Sequence, residues 1–396
     1  MAMHRYARWE RTAAVLVGDL TLVRCFAGAC VPVVLATPDR DDPASYSRHV
    51  VACHALPSAP LDADAIVDGL LAVGHALRDP VLIYGDDALL RALARRREAV
   101  ARRFRVLLPR AGVLDALLDK CAFAELARAH GLPTPPSIVV DERTSADAIV
   151  REVGLPLVLK PGTHVGFRQA TGGRKVLFAR TRAELDAALE RMRALSPTFV
   201  AQSEVPGGED EIHSYHAFVA EGGEVLAEHG GRKIRTYPRR GGASTLVEIV
   251  EAGELAPLGR DVIARLGLVG PLKLDFKRDA RRGGFSLLEV NARFNLWNYP
   301  GAIAGVNLPL VAYAYLTGAP LPALRPLRKG VRWLALGDDA RAFAREYRPA
   351  GELSVAGWLR SVAAADVYEV FAWDDPAPAL VDVAQWIAAR TRSLFA

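Results

Sequence analysis

LKLDFKRD (Leu272 to Asp279) and GFSLLEVNAR (Gly284 to Arg293) are two runs of alternating apolar residues joined across Ala280 to Gly284. Such runs around a short glycine-containing connection read as a β-hairpin. Asp275 is polar inside the first alternation, and Glu289 and Asn291 flank Val290 in the second. Residues two apart on a strand share a face. Glu289 and Asn291 therefore point one way, and hairpin pairing brings Asp275 beside them. Two carboxylates and an amide oxygen form a hard-oxygen site. That suits Mg²⁺, which takes one or two carboxylates and completes its shell with phosphate oxygens and water. An ordinary solvated strand face would use the same residue types.

Upstream, LPLVLKPGTHVG (Leu155 to Gly166) ends an apolar strand in Lys160, a cation badly placed for solvent but able to reach phosphate at the mouth of a cleft. The following loop, Gly162 to Gly173, contains Gly162, Gly166, Gly172 and Gly173. Small residues let backbone N–H groups close over phosphates, although a plain mobile hairpin would look alike. No G-x-x-x-x-G-K-[ST] loop is present. QSEVPGGE (Gln202 to Glu209) reads as an interdomain hinge, with backbone at Glu204 and Val205 able to read an adenine edge and Glu209 able to hold ribose hydroxyls. HGGRKIRTYPRRGGAS (His229 to Ser244) carries Arg232, Lys233, Arg235, Arg239 and Arg240. It reads either as exposed surface or as a substrate loop using Arg–carboxylate contacts. His213, His216 and His229 lack metal spacing to a partner and read as structural.

The N-terminal third alternates strands (Ala13 to Gly18, Val31 to Thr37, and a third at Pro80 to Asp86) with helices, which predicts a doubly wound parallel α/β domain over 1–110. One helix is expected over Ala111 to Gly131. A small α+β unit of two helices on an antiparallel sheet follows in 111–200, with helix starts at Thr144 and Thr181. Longer strands fill 201–328, including a hairpin turning at Gly222-Gly223. Short helices and loops make up an extension over 329–396. The fold class is thus α/β and α+β multidomain.

Composition removes several alternatives. The chain has 396 residues, 51 % hydrophobic and 24 % charged, enough for two or three domains. The longest apolar stretch, Ala302 to Leu316, is interrupted by Asn307 and Pro309, so no membrane partner is expected. Arg5 and Arg8 precede a short apolar run with no cleavage pattern, so a secretory signal is not expected. The four cysteines have neither zinc nor disulfide spacing and read as reduced thiols of a cytoplasmic protein. A net charge of +5 raises nucleic acid as a partner. However, the arginines of RALARRREAVARRFR (Arg91 to Arg105) sit at helical spacing, as on a solvated face, and no nucleic-acid motif accompanies them.

In this order, Lys120, Lys160, the glycine loop, Gln202 to Glu209, Asp275 and Glu289-x-Asn291-x-Arg293 resemble the ATP-grasp superfamily over about residues 110–320. The preceding domain resembles the pre-ATP-grasp domain of those enzymes. The resemblance implies ATP as co-substrate, with Lys120, Lys160 and Gly162 at its phosphates, Lys160 also near adenine, Gln202, Glu204 and Val205 at adenine, and Glu209 at ribose. Asp275, Glu289 and Asn291 would hold two Mg²⁺ ions, with Mn²⁺ able to replace them. Arg293 would contact phosphate or acyl phosphate. On the substrate-loop reading of the basic segment, Lys233 and Arg235 would contact the γ-phosphate and the carboxylate. Two positions depart from the pattern: Gln202 stands where Glu is usual, and Asp275 where Glu is frequent. The implied activity is a carboxylate–amine ligase acting through an acyl phosphate on small-molecule acids and amines. A looser likeness, through EVNARF and FAWDDPAPA (Phe371 to Ala379), extends to bacterial ligases of the D-aspartate-ligase kind. A bicarbonate-phosphorylating carboxylase and a catalytically silent nucleotide-binding protein stay open, as does a homodimer.

Overall fold

The structure, a computed structural model, describes residues 10–57, 63–162, 166–281, 283–323 and 325–395. Arg5, Arg8 and the Thr163 to Val165 part of the glycine loop lie outside the described residues. The N-terminal sheet has strands β1 (Ala14–Val17), β2 (Val33–Thr37), β3 (Val50–Ala55) and β4 (Val81–Ile83), all parallel, in the order β3-β2-β1-β4. Strands covered on both faces read as unbroken apolar runs. β1, β2 and β4 do so. β3 lies at the edge and is alternately half-buried and exposed, which is why VVACHA is passed over in the sequence and β4 taken as the third strand. RALARRREAVARRFR spans two helices, Asp87–Arg95 and Arg97–Ala101. Part of its charge is used internally: Arg95 and Arg96 pair with Asp64 and Asp68, and Arg91 donates to the Leu118 carbonyl.

The helix expected over Ala111 to Gly131 is two, Ala111–Leu117 and Lys120–Ala129. Asp119 interrupts it by accepting from the amides of Cys121 and Ala122 at 2.8 and 2.9 Å, a side-chain N-cap. Lys120 is thereby the first residue of a helix. The next unit holds β5 (Ser137–Val140), β6 (Leu157–Pro161), β7 (Leu177–Ala179) and β8 (Phe199–Ser203), antiparallel in the order β5-β8-β6-β7. Helices Ala146–Val153 and Arg182–Leu195 close a separate core of Ile149, Leu157, Leu185, Phe199 and Ala201. Thr181 caps the second helix as expected. Ser145, not Thr144, caps the first, because Thr144 is bound back to Asp141.

The large sheet runs β13-β12-β9-β10-β11-β14-β15. Its strands are β9 (Ile212–Val219), β10 (Val225–Tyr237), β11 (Ala243–Val250), β12 (Gly270–Asp279), β13 (Gly284–Asn291), β14 (Arg332–Leu334) and β15 (Val367–Tyr368). The basic segment expected as a loop is mostly strand: β10 continues to Tyr237 and turns into β11. β14 pairs with β11 and β15 with β14, so residues beyond 328 complete this sheet instead of standing apart. Phe218, Ala227 and Phe294 share a core with Leu16, Phe26 and Leu308, which seats the N-terminal domain on the large sheet. Among the described residues no helix is long and apolar enough to cross a membrane, and all four cysteines are free thiols.

The C-terminal stretch is tied back by an ion pair between Arg24 and Asp375, 3 % and 1 % exposed, with Nε to Oδ2 at 3.2 Å. Asp375 also accepts from Ser47 Oγ (2.8 Å) and the Arg48 amide (2.9 Å). Removing one partner of such a pair leaves a buried charge uncompensated. Asp375→Ala is therefore expected to cost about 3–5 kcal/mol in urea unfolding; an unchanged midpoint would show the contact to be dispensable.

Candidate functional site

Strand register sets the centre of the site. Asp275 on β12 lies opposite Glu289 on β13, and Lys273 opposite Asn291. The expected trio is therefore brought together across one strand pair. Ser214 on β9, in register with Asp275, donates its hydroxyl to Asp275 Oδ1. Lys273 Nζ lies 2.7 Å and Lys233 Nζ 3.6 Å from Asp275 Oδ2. Lys120 Nζ donates to Glu289 Oε1. The Lys120 amide donates to the Gly162 carbonyl at 3.1 Å, which ties the helix start to the end of β6 just past Lys160.

Charge balance follows from that geometry. Burial pushes the Asp275 carboxyl up, but Lys233 and Lys273 outweigh it and hold it down at about 2, against the repulsion of Glu289. Burial likewise raises the Glu289 carboxyl, and Lys120, with Lys175 and Lys273, brings it well below the usual carboxylate range. Burial and then the nearby Lys120 lower the Lys160 ammonium to about 8, with Glu289 opposing. Lys273 is lowered by burial and by Lys233, with Asp275 opposing. Lysines 120, 160, 175, 233 and 273 thus surround two carboxylates, leaving a net positive field for an anion. Asp275, Glu289 and Asn291 offer oxygen donors only. Among the described residues no three His, Cys, Asp or Glu side chains converge as a metal cage. A divalent ion here would need further oxygens from a substrate, as Mg²⁺ commonly does.

Of these groups Lys160 also lines a cleft of about 790 Å³ between the small antiparallel sheet and the large one. Val158, Val176, Phe178 and Leu288 give it apolar walls, and Lys160, Gln202, Glu204, Val205 and Glu209 all line it. Gln202 is buried on β8. The Glu204 amide is bonded to the Pro156 carbonyl (3.0 Å), the Glu204 carbonyl accepts from Arg281 (2.8 Å), and the Val205 carbonyl accepts from Lys277 Nζ (2.9 Å). The hinge is therefore stiffened by cations. At the other side, Pro238 packs against Gly173, and Val176 against Gly241, so the glycine loop meets the basic turn.

Two expected residues are placed differently. Arg235 does not reach the cleft: a bulge in β10 next to Lys233 separates the two cations. Arg235 is buried in a two-pronged ion pair with Asp339, at 2.8 and 2.7 Å. Arg293 lies near Glu289, but Asp87 of the N-terminal domain holds its guanidinium at 2.5 and 2.9 Å. His216 and His229 stack with ring centroids 4.6 Å apart, are buried, and are pushed down by desolvation, His229 to about 4. They are neutral packing groups, as expected. Lys273 and Lys277 went unread although they lie two residues either side of Asp275. Ser214 and Lys175 carry no local signal. Tyr347 and Glu352 also line the cleft and come from the C-terminal stretch.

Comparison with known proteins bears on the family and the fold. Residues 224–337 match the family described as "ATP-grasp in the biosynthetic pathway with Ter operon". The chain is 23 % identical to a D-aspartate ligase of Enterococcus faecium over 50 % of this chain and 49 % of that one. It is 35 % identical to D-alanine–D-alanine ligase B of Chromobacterium violaceum over 50 % and 62 %. It spans about half the length of the curated relatives it matches. Among solved structures, N5-carboxyaminoimidazole synthetase of Staphylococcus aureus superposes with a TM-score of 0.64 at 15 % identity, covering 87 % of this chain and 88 % of that one. At that identity the likeness is one of fold.

Lys160 makes the site costly to the fold. Its folded value near 8 lies below the ordinary 10.5, so the unfolded chain binds more protons between those pH values and stability falls as pH drops from 10.5 to 8. Lys160→Met should unfold at higher denaturant than wild type at pH 7, with the gain shrinking above pH 8 and gone by about pH 10.5. A pH-independent difference would contradict the burial of this cation.

Proposed function

We propose that this chain is an ATP-grasp protein, an ATP- and Mg²⁺-dependent ligase that activates a carboxylate by phosphorylation and joins it to an amine. The observation that carries the reading is Asp275 facing Glu289 among lysines, one of which, Lys160, also lines a nucleotide-sized cleft. Lys120 and Lys160 bind phosphate oxygens, Gln202, Glu204 and Val205 border the adenine, and Glu209 meets the ribose. Asp275, Glu289 and Asn291 would hold Mg²⁺, in two ions and replaceable by Mn²⁺. The metal would neutralise charge on the transferring phosphoryl group.

The protein's own part is positioning, since phosphoryl transfer needs alignment and charge more than a covalent nucleophile. Lys233 and Lys273 keep Asp275 ionised throughout the neutral range. Arg293, oriented by Asp87, supplies a planar donor beside Glu289 for the acyl phosphate. The apolar walls and the meeting of glycine loop and basic turn keep water from the activated acid. The amine then attacks the acyl carbonyl and phosphate leaves. The acid or amine is an amino acid or peptide, by likeness to relatives named for D-aspartate and D-alanine. The cytoplasm, where ATP is plentiful, is the place of action. A homodimer is consistent with the exposed Leu380, Val383, Trp386 and Ile387 of the last helix.

The test is ADP and phosphate release with ATP and Mg²⁺ over pairs of amino acids and small acids, with the product identified by mass spectrometry. Glu289→Ala is expected to lower turnover by about 10²–10³ while circular dichroism stays unchanged. Undiminished turnover in that variant would remove the metal assignment. Bicarbonate-stimulated ADP release without any amine would replace the ligase by a carboxylase.

A further inference from the structure

Glu209 sits between β8 and β9, yet its carboxylate is held from elsewhere. Oε1 accepts from Thr236 Oγ1 and from the Arg240 amide at 2.7 Å. Oε2 accepts from the hydroxyl of Tyr347, 138 residues away. That hydroxyl in turn accepts from the Thr236 amide at 3.2 Å, so both carboxylate oxygens are referred to one residue of β10. An ionised carboxylate has about four acceptor positions. Three are filled, and the remaining one is on Oε2.

Tyr347 is only 7 % exposed, and its position is built. It ends a π-type turn, Phe343–Tyr347, directly after the helix Leu336–Ala342. π-turns are rare and occur frequently at functional sites. The helix is pinned by fully buried Asp339, which takes both prongs of Arg235, Thr245 Oγ1 at 2.8 Å and Trp358 Nε1 at 2.9 Å. Within the turn, Glu346 accepts from the Arg239 amide at 2.5 Å, and beyond it Glu352 pairs with the Arg239 side chain. The segment therefore grips the basic turn and Glu209 together. The stretch matching the ATP-grasp family ends at residue 337, before all of these contacts except the first turn of the helix.

We propose that residues 336–352 form a working wall of the nucleotide cleft, in which Tyr347 is a positioning residue that orients Glu209 to accept one sugar hydroxyl of the nucleotide. This rests on the nucleotide reading given above. The buried Arg235, displaced from the cleft, acts through Asp339 as the anchor of that wall.

The test compares ATP with 2′-deoxy-ATP and 3′-deoxy-ATP in wild type and Tyr347→Phe. Wild type should discriminate against one of the two deoxynucleotides. Tyr347→Phe should raise the KM for ATP about tenfold, as for loss of a hydrogen bond to a charged group, leave kcat within about twofold, and lose most of that discrimination. A merely structural tyrosine would lower stability and leave the ATP to deoxy-ATP ratio intact, and that outcome overturns the proposal. Independently of the variant, a non-hydrolysable ATP analogue should slow amide hydrogen exchange across 336–352 of wild type. Unchanged exchange there, with exchange slowed around Lys160, would defeat the wall while sparing the nucleotide site. Absence of any ATP binding by wild type would defeat both.

Discussion

The apposition of Asp275 and Glu289 across one strand pair is what the rest of the molecule is arranged to sustain. Two carboxylates at that spacing repel, and burial adds a desolvation cost. The lysines oppose both effects and hold the two carboxyls below their ordinary values. Those lysines come from separate places: Lys120 from a helix start, Lys160 and Lys175 from the small antiparallel unit, Lys233 and Lys273 from the large sheet. The carboxylate pair is thus the point at which three parts of the chain are electrostatically joined.

The small unit has its own core and meets the large sheet mainly across the cleft. A separate core allows it to move as a body, while the cations that stitch the hinge carbonyls of Glu204 and Val205 limit where it can go. On the opposite side, Asp339 and Asp375 bind the C-terminal stretch to β10 and to the N-terminal domain. The cleft therefore has one side with an independent core and one clamped wall. On the proposed ligase reading, such an asymmetry suits enclosing an activated acid and then releasing the product.

Much of the fold follows from pattern. Apolar alternation placed the two hairpins of the large sheet, apolar runs placed β1, β2 and β4, and Gly222-Gly223 marked a turn that the structure contains. The misses have physical causes. β3 is an edge strand with a half-exposed alternation broken by Cys53 and His54. Asp119 was read as a helix-interior residue although it is a cap. The basic segment is β-like in sequence, but its charge drew the reading toward surface or loop, and the strand runs on to Tyr237. β14 and β15 are three and two residues long, too short to signal a strand locally, and they pair onto the edge of β11.

The sequence by itself determined the residues of the carboxylate pair and its amide neighbour, because the period of a strand puts Glu289 and Asn291 on one face and a short hairpin returns Asp275 beside them. It also determined the class of fold, through the alternation of apolar segments along the chain. Tertiary structure alone decided that Arg235 turns to Asp339, that Arg293 is held by Asp87, and that Tyr347 reaches Glu209. Each of those contacts joins residues more than a hundred positions apart. Which of several cations meets which carboxylate at such range depends on a bulge, a cap or a domain contact, and a one-residue shift in a strand reverses the face a side chain occupies.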